Sequence, residues 1–251
     1  MILFLHNRYR TTGGEERVVD DLLWLAREHL GEDARLLTRD SATIGRARAA
    51  AGLLGGGLAP DRIAAAVRDS GARIVHAHNL HPSLGWRALA AARAAGARTV
   101  LHLHNYRLVC AVGTCFTRGA DCTRCHGRDT APGIRLNCRG TGPEALVYGA
   151  SLALWQRRLV EHADAVVVPS EAAAARLREI GAPLPGHVHV VGHVVRSFTA
   201  APAGGARHAL IASRLAPEKG VDIAIVACRQ AGIPLVVAGD GPERPRLEAL
   251  A

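Results

Sequence analysis

Residues 72–105 read ARIVHAHNLHPSLGWRALAAARAAGARTVLHLHN, and this stretch decides the fold. A short β-branched run over 73–77 leads into an Ala/Leu-rich helical stretch over 83–95, and a second apolar run follows over 99–104. Two apolar strands joined by a single helix predict a parallel pair with a crossover connection. The unit repeats outward. Upstream lie a strand over 2–6, a helix over 15–30, a strand over 34–38 and a helix over 60–70. Downstream lie a helix over 143–161, a strand over 165–169, a helix over 171–180 and a strand over 188–191. Such alternation predicts an α/β fold, a doubly wound, Rossmann-like parallel sheet covered on both faces.

Two stretches interrupt the alternation. Residues 49–60 (AAAGLLGGGLAP) are glycine-rich and are expected to be mobile. Residues 107–142 form an insertion with little periodicity, and a segment of that length is normally functional or stapled. Around 197–205 the composition turns to Ser, Thr, Ala, Pro and Gly, as in a linker. A second α/β unit then begins, with strands over 209–212 and 234–238 and helices over 218–231 and 244–251. The expected organisation is a domain over 1–196, a linker over 197–205 and an incomplete second Rossmann-like domain over 206–251. Two strands and two helices leave a sheet edge open, so a truncated chain is expected.

The chain has 251 residues, 49% of them hydrophobic but only 4% aromatic, so its core is built from Ala, Val and Leu. Its formal net charge of +9 points to nucleic acid, an anionic membrane surface or phosphorylated substrates. The basic residues form no run interleaved with aromatics, and no helix-turn-helix or zinc-finger spacing occurs, which argues against nucleic acid as the partner. The apolar start, Met1 to Leu5, is too short for a secretory signal, and no stretch reaches the ~18 apolar residues of a membrane span. A cytoplasmic protein is expected, with the helix over 143–161, carrying Trp155, Arg157 and Arg158, as a candidate for peripheral contact at the inner face of the membrane.

Four groups of residues carry chemistry. Lys and Arg number 31, yet Lys219 is the only lysine, so a compact ammonium is asked for where arginine is the habit. It stands in Ser213-Arg214-Leu215-Ala216-Pro217-Glu218-Lys219-Gly220, at an expected strand-to-helix turn, where a lysine and an arginine fork suit a phosphate. Gly13 and Gly14 follow the first strand, and Gly239 and Gly241 follow the strand over 234–238; at such turns backbone can approach a ligand closely, or simply turn tightly. The G-x-G-x-x-G pattern is absent, which argues against a nicotinamide site. His76, His78, His102 and His104 cluster at expected strand ends, where the ligand crevice of an open α/β sheet lies, with Asn79 and Asn105 adjoining. Five of the six cysteines, Cys110, Cys115, Cys122, Cys125 and Cys138, fall in the insertion and include one C-x-x-C. Structural zinc, reduced thiols, and a redox or iron–sulfur role all remain open for them.

Together these residues resemble the family 4 glycosyltransferases, retaining enzymes of the GT-B fold. The resemblance rests on GGEER after strand one, IVHAHN (Ile74 to Asn79), LHNYR (Leu103 to Arg107), VVVPSE (Val166 to Glu171), SRLAPEKG and GDGPE. It implies an N-terminal acceptor domain and a C-terminal domain for the nucleotide sugar, UDP- or GDP-linked, with the reaction in the cleft and no metal in the chemistry. The acceptor would be a glycan or a lipid-linked molecule. Arg214 and Lys219 would clamp the donor diphosphate with Gly13, Gly14, Gly239 and Gly241 close by. His104 would act at the transferred sugar, with His78, Asn79 and Asn105 contacting sugar or acceptor. Cys110, Cys122, Cys125 and Cys138 take recurring positions of a cysteine-rich subset and would hold the structural zinc, with Cys115 as the alternative ligand. Two departures stand out. The chain ends before the family's pair of glutamates seven residues apart, and Gly192-His193 replaces a Pro-Asn-Gly turn. The resemblance therefore implies an enzyme with little activity as a 251-residue chain. The competing expectation is a non-catalytic or partner-dependent acceptor-binding module.

Overall fold

The computed structural model describes residues 1–10, 13–197 and 207–251. Thr12 and residues 198–205 of the expected linker lie outside them. The chain divides into two compact units, one of Met1–Cys115 with Cys122–Arg196, the other of Phe116–Asp121 with Ser197–Ala251.

In the first unit, β1 (Ile2–Arg8) is followed by α1 (Gly14–Glu28), β2 (Ala34–Asp40), α2 (Arg46–Leu54), α3 (Pro60–Ser70), β3 (Ile74–Ala77), α4 (Gly85–Ala94) and β4 (Arg98–His102). The short piece 116–121 of the cysteine segment is an antiparallel hairpin of β5 (Phe116–Thr117) and β6 (Ala120–Asp121). The first unit resumes with α5 (Ala131–Arg135), α6 (Gly142–Glu161), β7 (Ala165–Val168), α7 (Glu171–Glu179) and β8 (His189–Val190). Local chemistry sets these bounds. Pro60 opens α3 and Gly71, at φ +62°, closes it. Ser170 caps α7 by accepting the Ala173 N–H at 3.1 Å.

Six strands form one parallel sheet in the order β2-β1-β3-β4-β7-β8. The order reverses between β1 and β3, which pair with Leu5 opposite Ala77. Leu3, Leu5, Val75, Ala77 and Leu101 share one sheet face and pack on Ile63 and Val67 of α3, Ala88, Leu89 and Ala92 of α4 and Leu159 of α6. Burying each larger apolar side chain contributes about 1.5–3 kcal/mol. The opposite face carries Phe4, which packs on Ala26 of α1.

The stretch over 49–60, expected to be mobile, is instead helix α2 followed by a packed turn. The physical reason is close backbone approach. A Cβ on Gly56 would overlap the Trp86 indole, and one on Gly57 would overlap the Leu84 carbonyl. The glycines make room for α4 and do not confer mobility. Hydrogen bonds fasten the cysteine segment to α6. Gln156 of α6 donates to the Gly127 carbonyl at 2.7 Å, Arg128 to Ala153 at 3.0 Å and Thr130 to Gly149 at 2.8 Å.

The second unit holds β9 (Ala209–Ala212), a 3-10 turn (Pro217–Lys219), α8 (Val221–Ala231), β10 (Leu235–Ala238) and α9 (Arg244–Leu250). β9 and β10 pair in parallel. Leu215, Val221, Ile225 and Leu247 form its small core, while Leu210, Val236 and Ile223 stay exposed. The helix expected over 218–231 starts three residues later, because Gly220, at φ +61°, separates it from the 3-10 turn. Lys219 therefore precedes α8 and does not lie within it.

No helix among the described residues is long and apolar enough to cross a membrane. On α6, Trp155 is half-buried. Its indole N–H donates to the Leu54 carbonyl at 3.1 Å and its ring lies 5.8 Å from that of Trp86.

Candidate active site

Side chains converge where the strand order reverses, at the carboxyl ends of β1 and β3, the place where open α/β sheets bind ligands. Asn7 knits this point together. Its backbone carbonyl accepts from Asn79 Nδ2 at 2.6 Å, its Oδ1 accepts from Ser83 at 2.5 Å, and its Nδ2 donates to Ser41 at 2.6 Å. Asn79 Oδ1 also accepts the His81 N–H, at 3.2 Å. The Asn79 amide, expected at the sugar, is buried and occupied at both ends in joining strands.

Next to it the first turn of α1 meets the end of β4. Tyr9 donates its hydroxyl proton to Glu15 Oε2 at 2.6 Å. Asn105 Nδ2 donates to the Tyr9 hydroxyl at 3.1 Å and to Glu15 at 3.3 Å, and its Oδ1 accepts the Arg107 N–H at 3.0 Å. The Arg107 guanidinium lies 4.8 Å from the centre of the Tyr9 ring. Burial pushes the Glu15 carboxyl up to about 7, against the hydrogen bond from Tyr9 and the charge of Arg107. Asn105, expected to contact ligand, thus also orients Tyr9 and Glu15.

The two glycines before α1 differ. The Gly13 N–H donates to Glu16 Oε2 at 2.8 Å, and the Tyr9 N–H donates to Glu16 Oε1 at 3.0 Å. Burial would raise the Glu16 carboxyl, but these two donors outweigh it and hold it below the usual range. A Cβ on Gly14 would meet nothing within 4 Å, so there is open space beside this residue.

The histidines form a neutral stack on one sheet face, since residues two apart in a strand point the same way. His78 Nδ1 lies 2.8 Å from His104 Nε2, and His76 Nε2 lies 3.2 Å from His102 Nδ1. Burial, then its imidazole neighbours, pushes His104 down to about 3, and His78 well below its usual value. Neutral His104 keeps a buried Nδ1 without a partner. Among the described residues, His76, His78 and His102 are the one set of three potential metal-ligand side chains whose atoms all lie within 4.8 Å. Their rings stack, with 14° between the planes of His76 and His102 and 21° between those of His76 and His78.

A tetrahedral zinc needs four ligand sulfurs about 3.8 Å apart. Cys110, Cys122 and Cys138 surround Cys125 closely enough to add to the burial that pushes its thiol up to about 11. Cys115 is buried, and its side chain pairs with that of Cys110. No cysteine among the described residues is in a disulfide.

In the second unit, the two turns at the carboxyl ends of β9 and β10 lock together. The Leu215 N–H donates to the Asp240 carbonyl at 2.8 Å and the Glu243 N–H to the Leu215 carbonyl at 3.1 Å. A Cβ on Gly239 would overlap the Ser213 carbonyl, and one on Gly241 the Leu215 carbonyl. Both glycines are therefore needed for backbone packing. Arg214 is exposed and pairs with Glu218 at 2.5 Å, and Lys219 follows on the same 3-10 turn.

A parallel α/β sheet in this strand order, with a polar network at its switch point, is a unit of the doubly wound class. The chain belongs to the family described as the glycosyl transferase 4-like domain, which matches residues 12–194. Among solved structures it is similar to Anabaena Alr3699/HepE, determined in complex with UDP, at 18% identity and a TM-score of 0.49. The match covers 99% of this chain and 64% of that one. Among curated proteins none matches.

Sequence reasoning missed Tyr9, Glu15 and Arg107 as a network. Glu15 and Arg107 stand inside quoted motifs, GGEER and LHNYR, but nothing in a linear chain pairs Tyr9 with Asn105, 96 residues away.

Proposed function

We propose that this member of a glycosyltransferase family moves a sugar from a UDP- or GDP-linked donor to a glycan or lipid-linked acceptor, with retention of configuration. The acceptor hydroxyl oxygen bonds to the anomeric carbon as the bond to the diphosphate breaks, and the hydroxyl proton passes to the departing nucleoside diphosphate. The observation that carries the reading is the family match over residues 12–194. Arg214 between β9 and the 3-10 turn, and Lys219 at the end of that turn, lend it support as two cations in the segment that follows a strand of the second unit. A diphosphate would compete with Glu218 for Arg214 and meet Lys219 beside it, and such contacts gain most as charge builds on the leaving group. Neutral His104 is suited to accept a hydrogen bond from a sugar hydroxyl, because its depressed basicity keeps it uncharged. The reading needs no metal in the chemistry.

The test is release of nucleoside diphosphate from UDP- and GDP-sugars by the chain with candidate acceptors. Release that falls at least tenfold in Lys219→Ala supports the reading, and equal release in the variant removes the clamp.

A structural zinc on Cys110, Cys122, Cys125 and Cys138 is a second proposal, supported by the crowding of these thiols around Cys125. Metal analysis of the purified chain decides it: one zinc per chain supports the site, and none removes it.

A further inference from the structure

Beside the Tyr9–Glu15–Asn105 network, a cavity of about 500 Å³ opens within the first unit. Its wall holds four arginines, Arg10, Arg46, Arg107 and Arg139, against a single carboxylate, Glu144. Glu144 is already taken by Arg139, at 2.7 Å. The Nε atoms of Arg107 and Arg139 are both buried without a hydrogen-bond partner. Both Nε atoms are shielded from the cavity, so what the wall offers an anion is the positive charge of the guanidinium groups, which the one carboxylate does not balance. Both guanidinium groups are held in place by aromatic faces, Arg107 over Tyr9 at 4.8 Å and Arg139 over Tyr148 at 4.2 Å.

Two further features agree. The first turns of α2 and α6 form part of the wall, through Arg46 and through Thr141 to Glu144, and no side chain caps either helix. Uncapped N–H groups at two helix starts add partial positive charge to that of the arginines. The remaining wall is apolar, with Ile44, Leu53 and Val147. His81, also in the wall, is pushed down to about 3 by burial and by Arg107 and Arg139, so it is neutral and leaves the anion to the arginines.

We propose that this cavity binds the anionic group of the acceptor, a phosphate ester or a sugar carboxylate, on Arg107, Arg139 and Arg46, with the uncharged part of the acceptor along Ile44, Leu53 and Val147. Its identity as the acceptor site rests on the sugar-transfer reading; the anion site itself rests on the cavity alone.

The experiment is calorimetric titration of the full chain, without donor, using hexyl phosphate, hexyl β-D-glucuronide and the neutral hexyl β-D-glucoside. At least one anionic probe is expected to bind ten times more tightly than the glucoside and to weaken as salt rises from about 0.05 to about 0.5 M. The tighter of the two anions identifies the source, phosphate ester or acidic sugar. Arg139→Gln should weaken that probe tenfold or more. Arg46→Gln, at an exposed helix start, should also weaken it and does not depend on Arg139→Gln folding. Arg68→Gln, exposed on α3 and outside the cavity wall, should leave it unchanged. Three probes of equal affinity, no binding by any of them, or unchanged affinity in a folded Arg46→Gln chain overturns the proposal. Because the titration contains no donor, that failure leaves sugar transfer untouched, and a chain without transferase activity leaves the anion site standing.

Discussion

Replacing Glu15 by glutamine changes how stability depends on pH, and the structure sets the size of the effect. The Glu15 side chain is 8% exposed, and its carboxyl is raised from 4.5 to about 7, chiefly by burial. The folded chain therefore holds this proton more tightly than the unfolded chain does. Between pH 4.5 and about 7 the folded state binds more protons, so stability from this group is full at low pH and is lost as pH rises through that window. The whole difference corresponds to about 3 kcal/mol. A glutamine at this position would keep the shape of the neutral carboxyl and could still accept from Tyr9 or Asn105, but it does not titrate. In urea unfolding, Glu15→Gln and the parent chain should match at about pH 4, and the variant should be the more stable by about 3 kcal/mol at about pH 8. Comparing the two chains cancels most other titrating groups. Parallel stability curves, or a parent chain that gains on the variant as pH rises, would refute the reasoning and show that Arg107 stabilises a charged Glu15.

Three further outcomes are expected. Asn7→Ala leaves the buried Ser83 hydroxyl and the Ser41 contact without their partner and should cost about 2–4 kcal/mol in urea unfolding. Gly56→Ala places a Cβ on the Trp86 indole at a φ of +72°, and should lower stability by about 1–3 kcal/mol, whereas a mobile stretch would tolerate it. Arg214→Ala should weaken nucleoside diphosphate binding less than Lys219→Ala does, because Glu218 already neutralises part of the Arg214 charge; direct titration of each variant checks the order.

The alternation of apolar runs makes the parallel sheet legible, because a strand buried on both faces has to be apolar throughout. Helix starts are legible where Pro60 or Ser170 supplies a local reason. The glycines of 55–57 mislead, since a glycine that admits Trp86 looks in sequence like one that loosens a loop. The start of α8 slips for a related reason: the left-handed Gly220 splits one helical pattern into a 3-10 turn and a helix. In the site, the stretches GGEER and LHNYR are visible as strings, yet the roles inside them are not. Asn79 and Asn105 look like free amides, and only folding shows their groups engaged with Asn7, Tyr9, Glu15 and Arg107. Cavity charge is invisible for the same reason, because Arg46, Arg107 and Arg139 come from separate segments.

The most direct test of the central claim, that the second unit holds a nucleotide-sugar diphosphate on Arg214 and Lys219, is calorimetric titration of the chain with UDP and GDP beside uridine and guanosine. One diphosphate should bind well above its nucleoside, and Lys219→Ala should cost it about 10- to 100-fold, the worth of one charge-assisted contact. Equal, negligible binding of all four, or a diphosphate affinity unchanged in Lys219→Ala, would contradict the account.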